Sequence, residues 1–334
     1  MYPLNKISLA LALTFASAFP AAGTTIKIAT IAPDGTAWMR EMRAVGDTVK
    51  KATDGRVEIK YYPGGVMGDD ATVIRKIKIG QLQGGAFTGG EATVITPDAQ
   101  VYSLPFMYRS QDEIDKVRPK LDALIKQQFE NAGYELLGIT GGGFAYLMST
   151  RPIKTKEDLK SAKVWVPQGD KAAEITFKVA GVTPIPIPLS DVYTSLQTGL
   201  IDTAANTTSG AIAFQWHTKL KYMVDLPLTY VIGEIVVDKK VIDTLSAEDR
   251  KALDDAFAAG FVRLDKTNRE DNASARDALK QLGITFIVPD DAERQRWEAV
   301  GTEAFKELIA QGGISPTMLK ALNAALAEIR GGAK

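Results

Sequence analysis

Ser246–Asp249 reads as a helix start, a serine followed three residues later by an acid. The helical pattern it opens runs to about Leu282. A helix of more than thirty residues is unusual in one compact lobe, because helices there average only about 10–14 residues. The pattern fits a spine shared by two lobes. A length of 334 residues allows two domains or one large one.

The rest of the chain alternates strand and helix. TIKIATIA (25–32) is β-branched and alternating, a strand. A helix carrying Trp38, Met39, Met42 and Val45 follows, then the strand RVEIKYYP (56–63). PGGVMGDD is a glycine-rich loop, ATVIRKIKIGQL has helical spacing, and GGAFTGGE is a short strand ending in glycines. This βαβα order predicts a parallel sheet covered by helices. SQDE (110–113) caps a helix of about twenty residues, and YELLGITGGGFAYLMST (134–150) reads as two strands broken at Gly141–Gly143. The second of these is a candidate crossover between domains.

The middle block repeats the pattern. TKED (155–158) caps a short helix, AKVWVP is a strand, and GDKAAEITFKVAG is a helix. The alternating prolines of TPIPIPL (183–189) force extended chain. Ser190 is placed as the cap of SDVYTSLQTGL, and IDTAANTT (201–208) is a strand ending in small polar residues. ITFIVP (284–289) and two terminal helices, the last started at Ser315–Pro316, complete the chain.

The absence of cysteine excludes disulfides, thiolate metal sites and a cysteine nucleophile. A single histidine, His217, argues against histidine metal cages and Ser-His-Asp triads. Lys+Arg and Asp+Glu are both 40, so the basic excess of a nucleic-acid binder is missing. The first residues, MYPLNK, then ISLALALTFASAF, then small residues up to PAAG, have the layout of a secretory leader ending between Ala18 and Gly23. The apolar run is short of the ~20 residues a membrane span needs. The expected location is therefore the periplasm.

Several features read as ordinary structure. PGG near residue 64 lacks both phosphate-loop patterns. Gly141–Gly143 suits a flexible joint or close backbone packing. The pairs Asp69/Asp70, Asp254/Asp255 and Asp290/Asp291 lie in turns or on helix faces and read as solvated surface. Thr88, Trp165 and Asn206 are different. Each falls at or near the end of an expected strand, where ligands sit in open α/β sheets. Trp165 reads either as a half-buried aromatic on an edge strand or as the wall of a ligand pocket, an apolar face with one N–H donor.

Four stretches carry a family resemblance: YYPGGVMGDD, VYSLPFMY, STRPIKTKEDLKSAKVWVP and PLSDVYTSLQTGLIDTAAN. Over residues 25–330 the chain resembles the DctP-type solute-binding proteins of TRAP transporters. The resemblance implies an α/β, two-lobed periplasmic binding protein fold with a long helix across both lobes. Crossovers would fall near 145–150 and 230–240. The implied division is a signal peptide over 1–23, lobe I over 24–147 plus about 236–270, and lobe II over 148–235 plus about 271–334.

The resemblance also implies a small-molecule solute, small and large TRAP permease subunits as partners, a monomer, and no catalysis; no cofactor or metal site is expected. The family's arginine in "IRVP", the usual clamp for a solute carboxylate, aligns with Trp165. A second family arginine falls on Ala145. The family's asparagine is retained as Asn206, and other cleft positions align with Ile31, Thr88, Phe144 and Leu189. Gly89 and Thr207 flank this expected ligand-binding set. Replacing an arginine by tryptophan removes a charge and adds a stacking surface. The expectation is a neutral, aromatic or apolar solute on Trp165, oriented by Asn206 and Thr88. The alternatives are an organic acid held by helix N-termini, a cation or another arginine, a sensory receptor, and a periplasmic enzyme on the same scaffold.

Overall fold

β1 (Thr24–Ala29) pairs in parallel with β2 (Val57–Tyr62) on one side and β3 (Gly84–Thr88) on the other. These are the first elements of a computed structural model that describes residues 23–331. The expected leader lies outside the described residues except for Gly23. α1 (Ala37–Ala52) and α2 (Asp70–Lys78) make the crossovers. Thr36 and Asp69 start them by accepting the backbone N–H groups of Met39 and Thr72. Met39, Met42, Val45 and Val49 form the buried stripe of α1.

Beyond β3 the sheet departs from the all-parallel expectation. β8 (Tyr222–Asp238), β4 (Tyr134–Ser149) and β7 (Thr203–Thr207) follow in that order, each antiparallel to its neighbour. β9 (Thr285–Ile287) joins the start of β8 in parallel. β4 and β8 are 16 and 17 residues long and run side by side. Their Gly138–Gly141 and Gly233–Val237 halves belong with β3. Their other halves belong with β7 and β9. The stretch 134–150 is thus one strand, not two. Its register slips between Gly141 and Gly143, and Gly143 takes φ +109, a backbone shape that only glycine adopts freely.

The second half adds a small parallel pair, β5 (Trp165–Pro167) and β6 (Ile185–Ile187), tied to β7 by a bridge between Val164 and Thr203. Around it lie α4 (Lys171–Val179), α5 (Val192–Thr198), α6 (Thr208–Ala213) and α9 (Asp291–Ala310). Ser190 does not cap a helix. It sits in a 3-10 turn before α5 and donates to the Asp191 carboxylate.

After the four-residue α7 (Lys239–Ile242) comes the long helix. α8 (Ala247–Gln281) has 35 residues, about 50 Å at ~1.5 Å per residue. Ser246 caps it by accepting the Asp249 N–H at 3.0 Å. Its Leu253, Phe257 and Phe261 pack with Ile26, Val45 and Ile235 of the first lobe. Its Leu279 packs with Met148, Trp216 and Met223 of the second. The spine expected from the sequence is therefore in place. α10 (Pro316–Gly331) returns to the first lobe, where Met318 and Leu322 share a core with Ile114 and Leu121 of α3 (Gln111–Asn131). A division that gives all of 271–334 to the second lobe leaves out this return. Ala172 and Ile175 of α4 also join that core, so the lobes are closed on each other.

Candidate functional site: a chamber between the lobes

Where the lobes meet, an inner chamber of about 110 Å³ adjoins an outer cleft of about 630 Å³. Thr88, Leu189, Asn206 and Val231 border both. Thr88 ends β3 and Asn206 is the penultimate residue of β7, so both stand at carboxyl ends of strands. Trp165 opens β5 rather than ending it.

Trp165 lines the inner chamber but is only 5% exposed. Its Nε1–H donates to the Ile187 carbonyl at 2.9 Å, across the β5–β6 pair. Its ring meets Trp216 edge to face, with centroids 5.3 Å apart. The indole N–H is thus committed to the backbone, and most of the ring belongs to the second lobe's core. What remains is a patch of apolar wall, not an open stacking platform.

Asn206 Oδ1 accepts the Thr207 N–H at 2.8 Å, which leaves its NH₂ group as a donor to the cavities. Thr207 and Ile31 line only the outer cleft. Thr207 Oγ1 caps α6 by accepting the Gly210 N–H. Gly89 borders neither cavity. A side chain there would run into the Ala99 carbonyl and Ile232, so its role is close packing. Phe144 faces away from the cavities. It packs edge to face on Tyr230, centroids 5.1 Å apart, in a separate groove behind the long strands. The next residue, Ala145, points into the chamber, as the period of two along a strand requires.

Sequence reasoning missed the two acids of the chamber, Glu91 and Asp170. Glu91 Oε2 accepts from Thr88 twice, from Oγ1 at 2.8 Å and from the backbone N–H at 3.3 Å. Behind it lies Asp70. Burial, then the charge and hydrogen bond of Glu91, push Asp70 up to about 9. Asp170 begins α4, accepting the Ala173 N–H at 2.9 Å. Burial is the main cause that pushes it up to about 6; the Ala173 N–H opposes the rise and the Glu91 charge adds to it. A signal existed in the sequence. Both acids follow glycines directly after strands, in GGE and QGD, but such acids also occur in ordinary turns. Neither Lys, Arg nor His lines the inner chamber.

The joint behind the chamber is held by α8. Asp265 accepts from Thr140 Oγ1 and the Gly141 N–H, Asn268 donates to the Gly141 carbonyl, and Asn272 donates to the Gly142 carbonyl. These three lie along one helix face at i, i+3 and i+7. Asn272 Oδ1 also accepts from Thr208 and Ser209 of α6. The long helix therefore grips the slipped strand and the second lobe together.

Comparison with known proteins supplies the family. The chain is 26% identical over 330 residues to the C4-dicarboxylate-binding periplasmic protein DctP of Rhodobacter capsulatus, covering 96% of each. It resembles a TRAP periplasmic solute-binding protein from Xanthobacter autotrophicus Py2 with bound β-D-galacturonate. That likeness has a TM-score of 0.84 at 21% identity, over 90% of this chain and 99% of that one. It also resembles a Bordetella pertussis extracytoplasmic solute receptor binding pyroglutamic acid, TM-score 0.84 at 21% identity, over 91% and 99%. These structures carry the two-lobed fold. No helix among the described residues is long and apolar enough to cross a membrane. Residues 28–311 match the family described as bacterial extracellular solute-binding protein, family 7, and the chain belongs to it.

Proposed function

We propose that this chain is a periplasmic receptor that captures one small organic solute between its lobes and hands it, unaltered, to the small and large subunits of a TRAP permease. One observation carries the reading. The inner chamber is built from both lobes at once, Thr88 and Glu91 from the first, Trp165, Asp170 and Asn206 from the second. A solute there touches both lobes only when they are together, so binding shifts the population toward the closed form. The lining is mostly apolar with a few convergent polar groups, the make-up of a grip rather than of a catalytic set.

Trp165, Val166, Pro167, Phe177 and Leu228 accept the solute's apolar part. Thr88, Glu91, Asp170 and Asn206 orient its polar end. The apolar solute expected from Trp165 alone thereby becomes an amphipathic one. A second reading, an organic acid, is favoured by the names of the relatives and by the N-terminal turn of α1. Thr36, Ala37 and Trp38 line the outer cleft, where a carboxylate would meet the positive end of the helix. Thermal unfolding of the secreted protein with small acids, amines, amino acids and neutral metabolites tests the receptor reading. At least one class raises the melting temperature and is recovered unchanged. Chemical conversion of a bound solute contradicts it.

A further inference from the structure

The inner chamber holds two carboxyl groups and no basic side chain. Glu91 and Asp170 are its only ionisable lining residues, each 7% exposed. They come from opposite lobes and line the same chamber. Ala145 and Trp165, the positions to which family resemblance assigns arginines, both line this space and neither carries charge. A buried carboxylate without a counter-charge is costly, and a partner cation relieves that cost. Nothing in the described lining supplies one. Thr229 also lines the chamber, and its buried hydroxyl has no partner, so a polar group of the solute can satisfy it.

Resting on the receptor reading above, we infer that the inner chamber takes the protonated nitrogen group of its solute, an ammonium or amidinium, between Glu91 and Asp170. Glu91 Oε2 already accepts from Thr88, Glu91 also meets Asp70, and Asp170 Oδ1 accepts from Ala173 N–H. The carboxylate lone pairs that remain are acceptors, which suits a group with N–H donors, and the Thr229 hydroxyl can turn to accept from it too. At about 110 Å³ the chamber holds a head group, and the rest of the solute extends past Thr88 and Asn206 into the outer cleft. A carboxylate elsewhere on the same solute is therefore compatible with the assignment, provided it points outward.

Matched probes test this on protein secreted from the full chain and dialysed. Succinate, 4-aminobutyrate and putrescine share four carbons; benzoate and benzylamine share a ring; calcium chloride stands for a metal ion alone. Titration calorimetry is expected to give binding at least about tenfold tighter for the amine of a set than for its acid. Asp170→Asn, which keeps a good helix cap, and Glu91→Gln are each expected to weaken amine binding by about tenfold. Tighter binding of the acids, or binding that requires calcium, overturns the nitrogen assignment while leaving the receptor reading intact. Unchanged amine affinity in both variants overturns it as well. Silence of every probe counts against the assignment and the receptor reading together.

Discussion

The carboxylate of Asp170, in the second lobe, lies directly against the Cα of Gly90, in the first. A methyl group at position 90 would overlap Asp170 Oδ2. This contact joins the two lobes, and it sets Asp170 where it feels the charge of Glu91. Gly90→Ala is therefore expected to hinder closure without disturbing either lobe's core. Solute affinity should fall by about tenfold or more, with little change in melting temperature. Calorimetry and thermal unfolding on the same sample separate the two effects. A large loss of stability at unchanged affinity would contradict this role.

Asp170 sets a pH dependence. Its folded-state pKa is raised to about 6 from 3.8, chiefly by burial, with Ala173 N–H lowering it and Glu91 and Glu174 raising it. A raised carboxyl pKa stabilises the fold fully below the unfolded value, and the stability is lost as pH rises through the folded value. The solute-free protein should thus lose on the order of 3 kcal/mol from this group between about pH 4 and pH 7. Asp170→Asn should flatten that part of the melting-temperature profile. An amine solute reverses the sign: its binding should tighten as pH rises through about 6 and Asp170 ionises. A profile unchanged in Asp170→Asn would contradict the assignment.

Trp165 serves the second lobe first. Its N–H bond to Ile187 and its contact with Trp216 fix the β5–β6 pair. Trp165→Ala should cost about 3–5 kcal/mol, as truncation of a buried aromatic does. Trp165→Phe, which keeps most of the packing and loses the hydrogen bond, should cost about 1 kcal/mol. Denaturant unfolding measures both. Full stability of Trp165→Ala would make the indole a surface element instead.

Asn272 ties α8 to the Gly142 carbonyl and to α6. Asn272→Ala strands these groups and should cost about 1–3 kcal/mol. Hydrogen exchange should rise first around Gly141–Gly143 and the start of α6. Exchange that rises instead only at the far end of α8 would contradict the joint described above.

The long helix was legible because its start, its periodicity and its length are all local properties of the chain from Ser246 to Leu282. β8 was not. Asp225, Pro227, Gly233 and Glu234 interrupt its apolar pattern, and only its pairing with β3 and β4 makes it one strand. Phe144 shows the same limit at the site. Whether residue 144 or 145 faces the chamber depends on the register slip between Gly141 and Gly143, which arises from pairing with β8. Thr88 and Asn206 could be placed beside the cavities from sequence because strand ends are local. Glu91 and Asp170 were not, because an acid after glycine acquires its meaning only when the opposite lobe closes over it.

Small-angle X-ray scattering during titration tests the central claim most directly, using the tightest binder of the matched probe set. Capture between two lobes predicts a radius of gyration that falls as solute is added, with a midpoint equal to the calorimetric Kd. Saturating binding that leaves the radius of gyration and the scattering profile unchanged would mean the solute does not bring the lobes together.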